Sequence, residues 1–203
     1  MAEADNRTPG GAIDVSDRAA RLLGVVYGSQ GQQLQQDPVK KNLITINHSQ
    51  EAGHAGIKYI SSDVVTGLGS GATKQYLIIA PDTATRIHLI YSVEATPGIT
   101  ITFYEAPTKT ANGTALAINN RNRNSANTAT AAVYKDPTIT ANGTLLRINE
   151  VGSGAAGGKA GGISASDRDE REWILKQNTA YLLNIVTLAA STDIATALQW
   201  YEV

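Results

Sequence analysis

From about residue 41 onward the chain is a series of short apolar runs separated by turn residues. The clearest is Ile99-Thr100-Ile101-Thr102-Phe103-Tyr104-Glu105, in which Ile99, Ile101 and Phe103 fall on one side and the threonines on the other. A period of two puts alternate side chains on opposite faces of a strand. Similar runs are Leu43 to Asn47, Lys58-Tyr59-Ile60, Gln75 to Ala80, Arg86 to Val93, Ala131 to Tyr134, Thr144 to Ile148, Glu172 to Lys176, Tyr181 to Leu188 and Ala195 to Val203. Pro81-Asp82, Asp136-Pro137 and Asn142-Gly143 punctuate them, and Pro97-Gly98 between two runs predicts a hairpin turn. No crossover helices separate these runs. The pattern therefore predicts an all-β fold, an antiparallel β-sandwich or jelly roll over residues 41–203.

Residues 1–40 differ. Met1 to Gly11 is small and polar, with Pro9-Gly10-Gly11 against regular structure, and no secretory signal is expected there. A short helix is predicted from Ser16 or Asp17 through Leu23, and Gly24, Gly28 and Gly31 follow it. This segment forms little core by itself. It reads either as an N-terminal arm that orders against a partner or as a capping segment of the same domain.

Two stretches are of low complexity. Residues 119–130 are polar throughout, and residues 152–162 are rich in Gly and Ala; both read as loops. Thr110-Ala111-Asn112-Gly113-Thr114 recurs as Thr140-Ala141-Asn142-Gly143-Thr144. Two hairpins that each use Asn-Gly account for this, and a duplicated hairpin unit is the alternative.

Composition narrows the chemistry. The charge is balanced, with 17 Lys and Arg against 18 Asp and Glu, which gives no electrostatic ground for a nucleic-acid or anionic-membrane partner. There is no cysteine, so disulfides, thiolate metal sites and a thiol nucleophile are excluded. No apolar run is long enough to span a bilayer as a helix. His48 and His54 lack the one-turn spacing of a helical zinc pair, and His88 sits in a strand-like run, so no metal site is expected. Gly67-Leu68-Gly69-Ser70-Gly71 and Gly152-Ser153-Gly154 lack the spacing and context of a nucleophile elbow or phosphate loop and read as mobile loops. Asp167, Asp169, Glu170 and Glu172 interleave with Arg168 and Arg171, as on a solvated or subunit-bridging face. No catalytic constellation and no cofactor site emerge.

Several strings resemble tailed-bacteriophage virion structural proteins. They are Asp17 to Gly28, Phe103 to Thr108 with Thr110 to Thr114, Asn119 to Ser125, Asp136 to Thr140, Glu172 to Thr179 and Trp200-Tyr201-Glu202. The likeness covers most of the chain, and these strings encode no known chemistry. The resemblance implies a non-enzymatic virion component, made in the host cytoplasm and placed on the outer capsid surface. Its leading form is a capsid decoration (cement) protein bound to the major capsid protein. The resemblance also implies a homo-oligomer, with a trimer favoured and a dimer possible.

In that role the capsid contact is expected from Arg18, Arg21, Leu22, Leu23 and Tyr27, and a subunit contact from Arg121 and Arg123. Trp173 and Trp200 are assigned to the core because both sit in strand-like runs. The rival reading is a carbohydrate- or receptor-binding sandwich on a head or tail fibre. It requires an exposed aromatic platform, and the chain has only two Trp, eight Tyr and one Phe.

Overall fold

The computed structural model describes residues 48–151 and 172–203. The predicted alternation is realised in β4 (Ile99–Glu105): Ile99, Ile101 and Phe103 are buried, at 2% exposure or less. The other elements are α1 (His48–His54), β1 (Lys58–Leu68), β2 (Thr73–Ile79), β3 (Ile87–Thr96), β5 (Thr108–Ala111), β6 (Thr114–Ala115), β7 (Asn119–Asn120), β8 (Ala132–Lys135), β9 (Thr138–Ala141), β10 (Thr144–Val151), β11 (Trp173–Leu175), β12 (Ala180–Thr187) and β13 (Thr192–Glu202). One sheet has the order β11-β3-β13-β1-β7, a second the order β10-β4-β12-β2-β8-β6, and β5 pairs with β9 alone. The strand pairs in all three are antiparallel.

The two larger sheets face each other across one core. Tyr59, Leu89, Val93, Leu198 and Trp200 come from the first, and Tyr76, Ile78, Ile101, Phe103, Tyr181 and Leu183 from the second. Phe103 ties them together, with ring centroids 5.2 Å from Tyr91, 5.4 Å from Trp173 and 5.7 Å from Tyr181. Offset aromatic pairs at these distances add to the burial of the rings themselves. Trp200 is fully buried, and Trp173 packs on the core from its margin.

The Pro97-Gly98 turn departs from the expected hairpin. β3 lies in the first sheet and β4 in the second, so the cis Thr96–Pro97 bond and Gly98 carry the chain from one layer to the other. Local turn chemistry marks where a chain reverses; which strand it then pairs with depends on which face must be buried.

The repeat departs from expectation too. Neither Asn112-Gly113 nor Asn142-Gly143 closes a hairpin. β5 and β9 pair with each other, β6 pairs with β8, and β10 pairs with β4. The chain leaves β4 after Glu105, crosses as β5, and turns at Gly113 to run beside β8 from Lys135. It leaves β8 after Lys135, crosses back as β9, and turns at Gly143 to run beside β4 from Glu105. From β4 to β6, and from β8 to β10, is four strand spacings, about 19 Å, and residues 106–113 extended reach about 26 Å.

This ribbon crosses the outer face of the second sheet. Leu77 and Leu182 are directly opposite each other and alternate out of the core set formed by Tyr76, Ile78, Tyr181 and Leu183, yet both are fully buried. Tyr104 and Tyr134 flank them in the same row, each half-buried. The arrangement has an approximate two-fold axis between Leu77 and Leu182. It relates Tyr181 to Tyr76, Pro107 to Pro137, and Ala106 (φ 56°) to Asp136 (φ 53°). Two interlocked copies, rather than two independent hairpins, explain the repeat.

α1 was not expected from the sequence. It is one short helix whose Ala52 is buried and whose Ala52 carbonyl accepts from Ile57 N–H at 3.0 Å. The predicted helix near Ser16, the run Leu43 to Asn47, the Gly/Ala-rich loop and the expected domain boundary at residue 40 lie outside the described residues.

Candidate interaction surfaces

Of the expected contact residues, Arg18, Arg21, Leu22, Leu23 and Tyr27 lie outside the described residues, while Arg121 and Arg123 lie within them. The loop that carries these two arginines is built by its own asparagines. Asn120 Oδ1 accepts from Asn122 N–H at 2.9 Å, and Asn122 Oδ1 accepts from Asn124 N–H at 3.1 Å. Short polar side chains that bond the backbone two residues on shape such turns. The amide groups of Asn120 and Asn127 donate to the Gly56 carbonyl, at 2.8 and 3.2 Å, and Asn122 Nδ2 donates to the His54 carbonyl at 3.0 Å. Gly56 has φ +69°, and a Cβ there would overlap the Ser125 side chain. The polar stretch is thus a fixed cap over the α1–β1 corner.

Both guanidinium groups are exposed on this cap. Arg121 Nη1 donates to Gln199 Oε1 at 2.9 Å, which lays its side chain along the first sheet. Arg123 Nη1 reaches Asn119 Oδ1 and the Asn120 carbonyl only at 3.5 Å, the outer limit of a hydrogen bond. Asn120, Asn122 and Asn127 donate to this chain's own carbonyls.

His88, Glu172 and Tyr201 form a second cluster, on the outer face of the first sheet. His88 Nδ1 lies 2.5 Å from Glu172 Oε1, and the Tyr201 hydroxyl donates to the same oxygen at 2.6 Å. The His88 and Tyr201 rings stack at 4.5 Å. One carboxylate oxygen held by two donors anchors the chain just before β11 to the centre of the sheet. Glu172 was expected on a solvated or subunit-bridging charged face; its side chain is 14% exposed. His54 is exposed at the end of α1, and among the described residues no three acidic or histidine side chains gather as a metal set.

A third cluster bridges the sheets at one side. Asp63 of β1 accepts from Lys135 Nζ at 3.0 Å and from the Tyr76 hydroxyl at 3.1 Å, and Lys74 Nζ donates to Asp136 at 2.7 Å. Burial, with the neighbouring Asp63 charge adding to it, pushes the Tyr76 phenol well above its usual range. At the end of β4, Glu105 takes Lys176 Nζ at 2.6 Å and the Tyr181 hydroxyl at 3.0 Å. The Lys176 bond holds the Glu105 carboxyl below its ordinary value, while burial chiefly drives Tyr181 up to about 12.

Among the described residues five large apolar side chains are exposed: Val64 (68%) on β1, Val203 (46%) after β13, and three on two edge strands. Leu145 (50%) and Ile148 (61%) project from β10, and Ile174 (62%) from β11. These strands occupy the same lateral side of the sandwich, because β3 and β4, which they flank, are joined by two residues and Trp173 touches Phe103. Among the described residues every aromatic side chain is buried or half-buried, so no aromatic platform of the kind a sugar stacks on is exposed there.

The Gly67–Gly71 segment, expected to be a mobile loop, is tied down. Gly67 N–H donates to Asp193, Ser70 Oγ to the Leu188 carbonyl, and Thr187 Oγ1 to the Gly69 carbonyl at 2.5 Å. The chain matches no family model, and it matches no curated protein.

Proposed function

We propose that this chain is a virion structural protein, of the capsid decoration kind, that acts through protein–protein contacts at the outer surface of a phage head. One observation carries the reading: an antiparallel sandwich whose polar loops are fixed by their own side chains and three of whose five exposed large apolar residues, Leu145, Ile148 and Ile174, lie on one lateral side. A rigid body of this kind loses little conformational freedom on docking. The resemblance of the strings Phe103 to Thr114 and Asp136 to Thr140 to tailed-phage virion proteins supports it, and these are the strings that make the interlocked ribbon.

The mechanism is mass action. A protein that binds the assembled shell and not its free subunits stabilises the shell by an amount set by affinity and concentration. Many copies on one lattice make weak individual contacts sufficient. Arg123 on the asparagine cap is the arginine best placed to reach a neighbour, with Arg121 beside it; the major capsid protein and further copies of this chain are the partners.

Particles assembled without this chain test the reading. They should form, release their DNA at a lower temperature than complete particles, and regain the difference when purified protein is added. Equal release temperatures with and without the chain would refute it.

A further inference from the structure

The two larger described sheets have four outer strands of very different length. β6 and β7 have 2 residues each and β11 has 3, whereas β10 has 8. A long edge strand presents a row of backbone donors and acceptors that another strand can take up. β10 also carries Leu145 and Ile148, outward on the sheet's exterior face. We infer that β10 pairs with β10 of a second copy, antiparallel about a two-fold axis at Ile148, and joins the two six-stranded sheets edge to edge.

The commitment to a second copy comes from the edges and the register. A head-to-tail ring needs a second long edge on the same chain, and the other described edges are too short. A two-fold pair needs only β10, which then satisfies itself. Two-fold pairing must keep each row of side chains on one face of the joined sheet, so one residue stands opposite its own copy. An axis at Arg147 would set two guanidinium groups face to face. An axis at Asn149 would set exposed Ile148 against Glu150. An axis at Ile148 sets Ile148 against Ile148 and Arg147 against Asn149, whose side-chain oxygen already accepts from Arg147 Nε at 3.1 Å. Opposed apolar residues and the absence of opposed like charges favour that register. The shift between Leu145 and Arg147 leaves residues 147–151 in unbroken register with β4; about an axis at Ile148, residues 147–149 of the two copies oppose one another regularly, and Glu150 and Val151 meet the bulged segment at Leu146 and Leu145.

One strand pair buries less than the roughly 1,200 Å² of a stable complex, so the pair is weak in solution. The inference specifies the oligomer within the proposed function, but its test needs no virion, so either can fail without the other. Because the chain has no cysteine, Ile148→Cys is a single-thiol probe. Residues directly opposed in antiparallel strands have Cα atoms about 4.5–5.5 Å apart, within disulfide reach. Under mild oxidation, full-length Ile148→Cys should form a covalent dimer at least about tenfold faster than Ile174→Cys, an equally exposed site on another edge. Sedimentation of the unaltered protein at rising concentration should show a monomer–dimer equilibrium that Ile148→Lys abolishes. Equal cross-linking rates at the two sites, or a wild-type protein that stays monomeric or forms a trimer insensitive to Ile148→Lys, would overturn it.

Discussion

Gly113 and Gly143 stand in equivalent positions, each against the strand that opens the other copy of the repeat. A Cβ on Gly113 would overlap the Lys135 carbonyl oxygen and lie 2.7 Å from that of Asp136. One on Gly143 would overlap the Glu105 carbonyl oxygen and lie 2.7 Å from that of Ala106. Both glycines have positive φ, +88° and +84°. A side chain at either site therefore meets backbone that cannot swing aside and adopts a disfavoured conformation. Gly113→Ala and Gly143→Ala should each cost about 2–4 kcal/mol, and by closely similar amounts, in urea unfolding. One strongly destabilising and one neutral substitution would contradict the two-fold arrangement.

Leu77 and Leu182 make the same arrangement testable from beneath the ribbon. On a bare outer sheet face their truncation would be nearly silent. Covered by β5 and β9, Leu77→Ala and Leu182→Ala should each cost about 2–5 kcal/mol, as core leucines do. Hydrogen exchange of the β5 and β9 amides should accelerate in both variants.

Glu202 is the buried carboxylate on which the end of β13 depends. It accepts from Thr130 N–H at 3.0 Å, Ala131 N–H at 3.1 Å, Thr130 Oγ1 at 2.7 Å and Trp200 Nε1 at 2.9 Å. Glu202→Ala would leave these donors buried without an acceptor, at about 3 kcal/mol. Glu202→Gln should cost less. Denaturant midpoints and the emission of Trp200 would report both.

Much of this fold was legible in the sequence. The alternation of Ile99, Ile101 and Phe103 placed a strand with a buried face, and the run of short strands without crossover helices placed an antiparallel sandwich. Pairing was not legible at Pro97-Gly98 or at the two Asn-Gly turns. Turn residues encode a local reversal, whereas partner choice follows from which faces are covered. One signal for the interlocked ribbon was present: Tyr104 to Leu116 and Tyr134 to Leu146 agree at nine of thirteen positions, among them both tyrosines and both prolines. The Arg121 and Arg123 loop was legible as polar. The use of its asparagines to bind this chain's own carbonyls depends on α1, which is too short to show a helical period.

Acid and alkali should act on different groups. Glu105 is held below its ordinary value of 4.5, first by Lys176. Its folded form binds the proton less tightly than its unfolded form, so its contribution is full above about pH 4.5 and is lost as the pH falls through the lower folded value. Glu105→Gln should flatten part of the decline in melting temperature between about pH 5 and 3.

Tyr59, Tyr76, Tyr91 and Tyr181 are all raised from 10.0, chiefly by burial, with Tyr181 at about 12. Their contribution is full below about pH 10 and is lost as the pH rises through the folded values. Absorbance at the phenolate band should show these groups ionising together with loss of the fold. Titration of every tyrosine near pH 10 with the fold intact would contradict their burial.

The most direct test of the functional account is the composition of purified particles. Quantitative mass spectrometry of density-banded virions, with heads separated from tails, would give the copies of this chain per copy of the major capsid protein. The account predicts the chain in the head fraction, at a fixed ratio that matches repeated lattice sites. Its absence from particles, or its presence in the tail fraction alone, would contradict a decoration role.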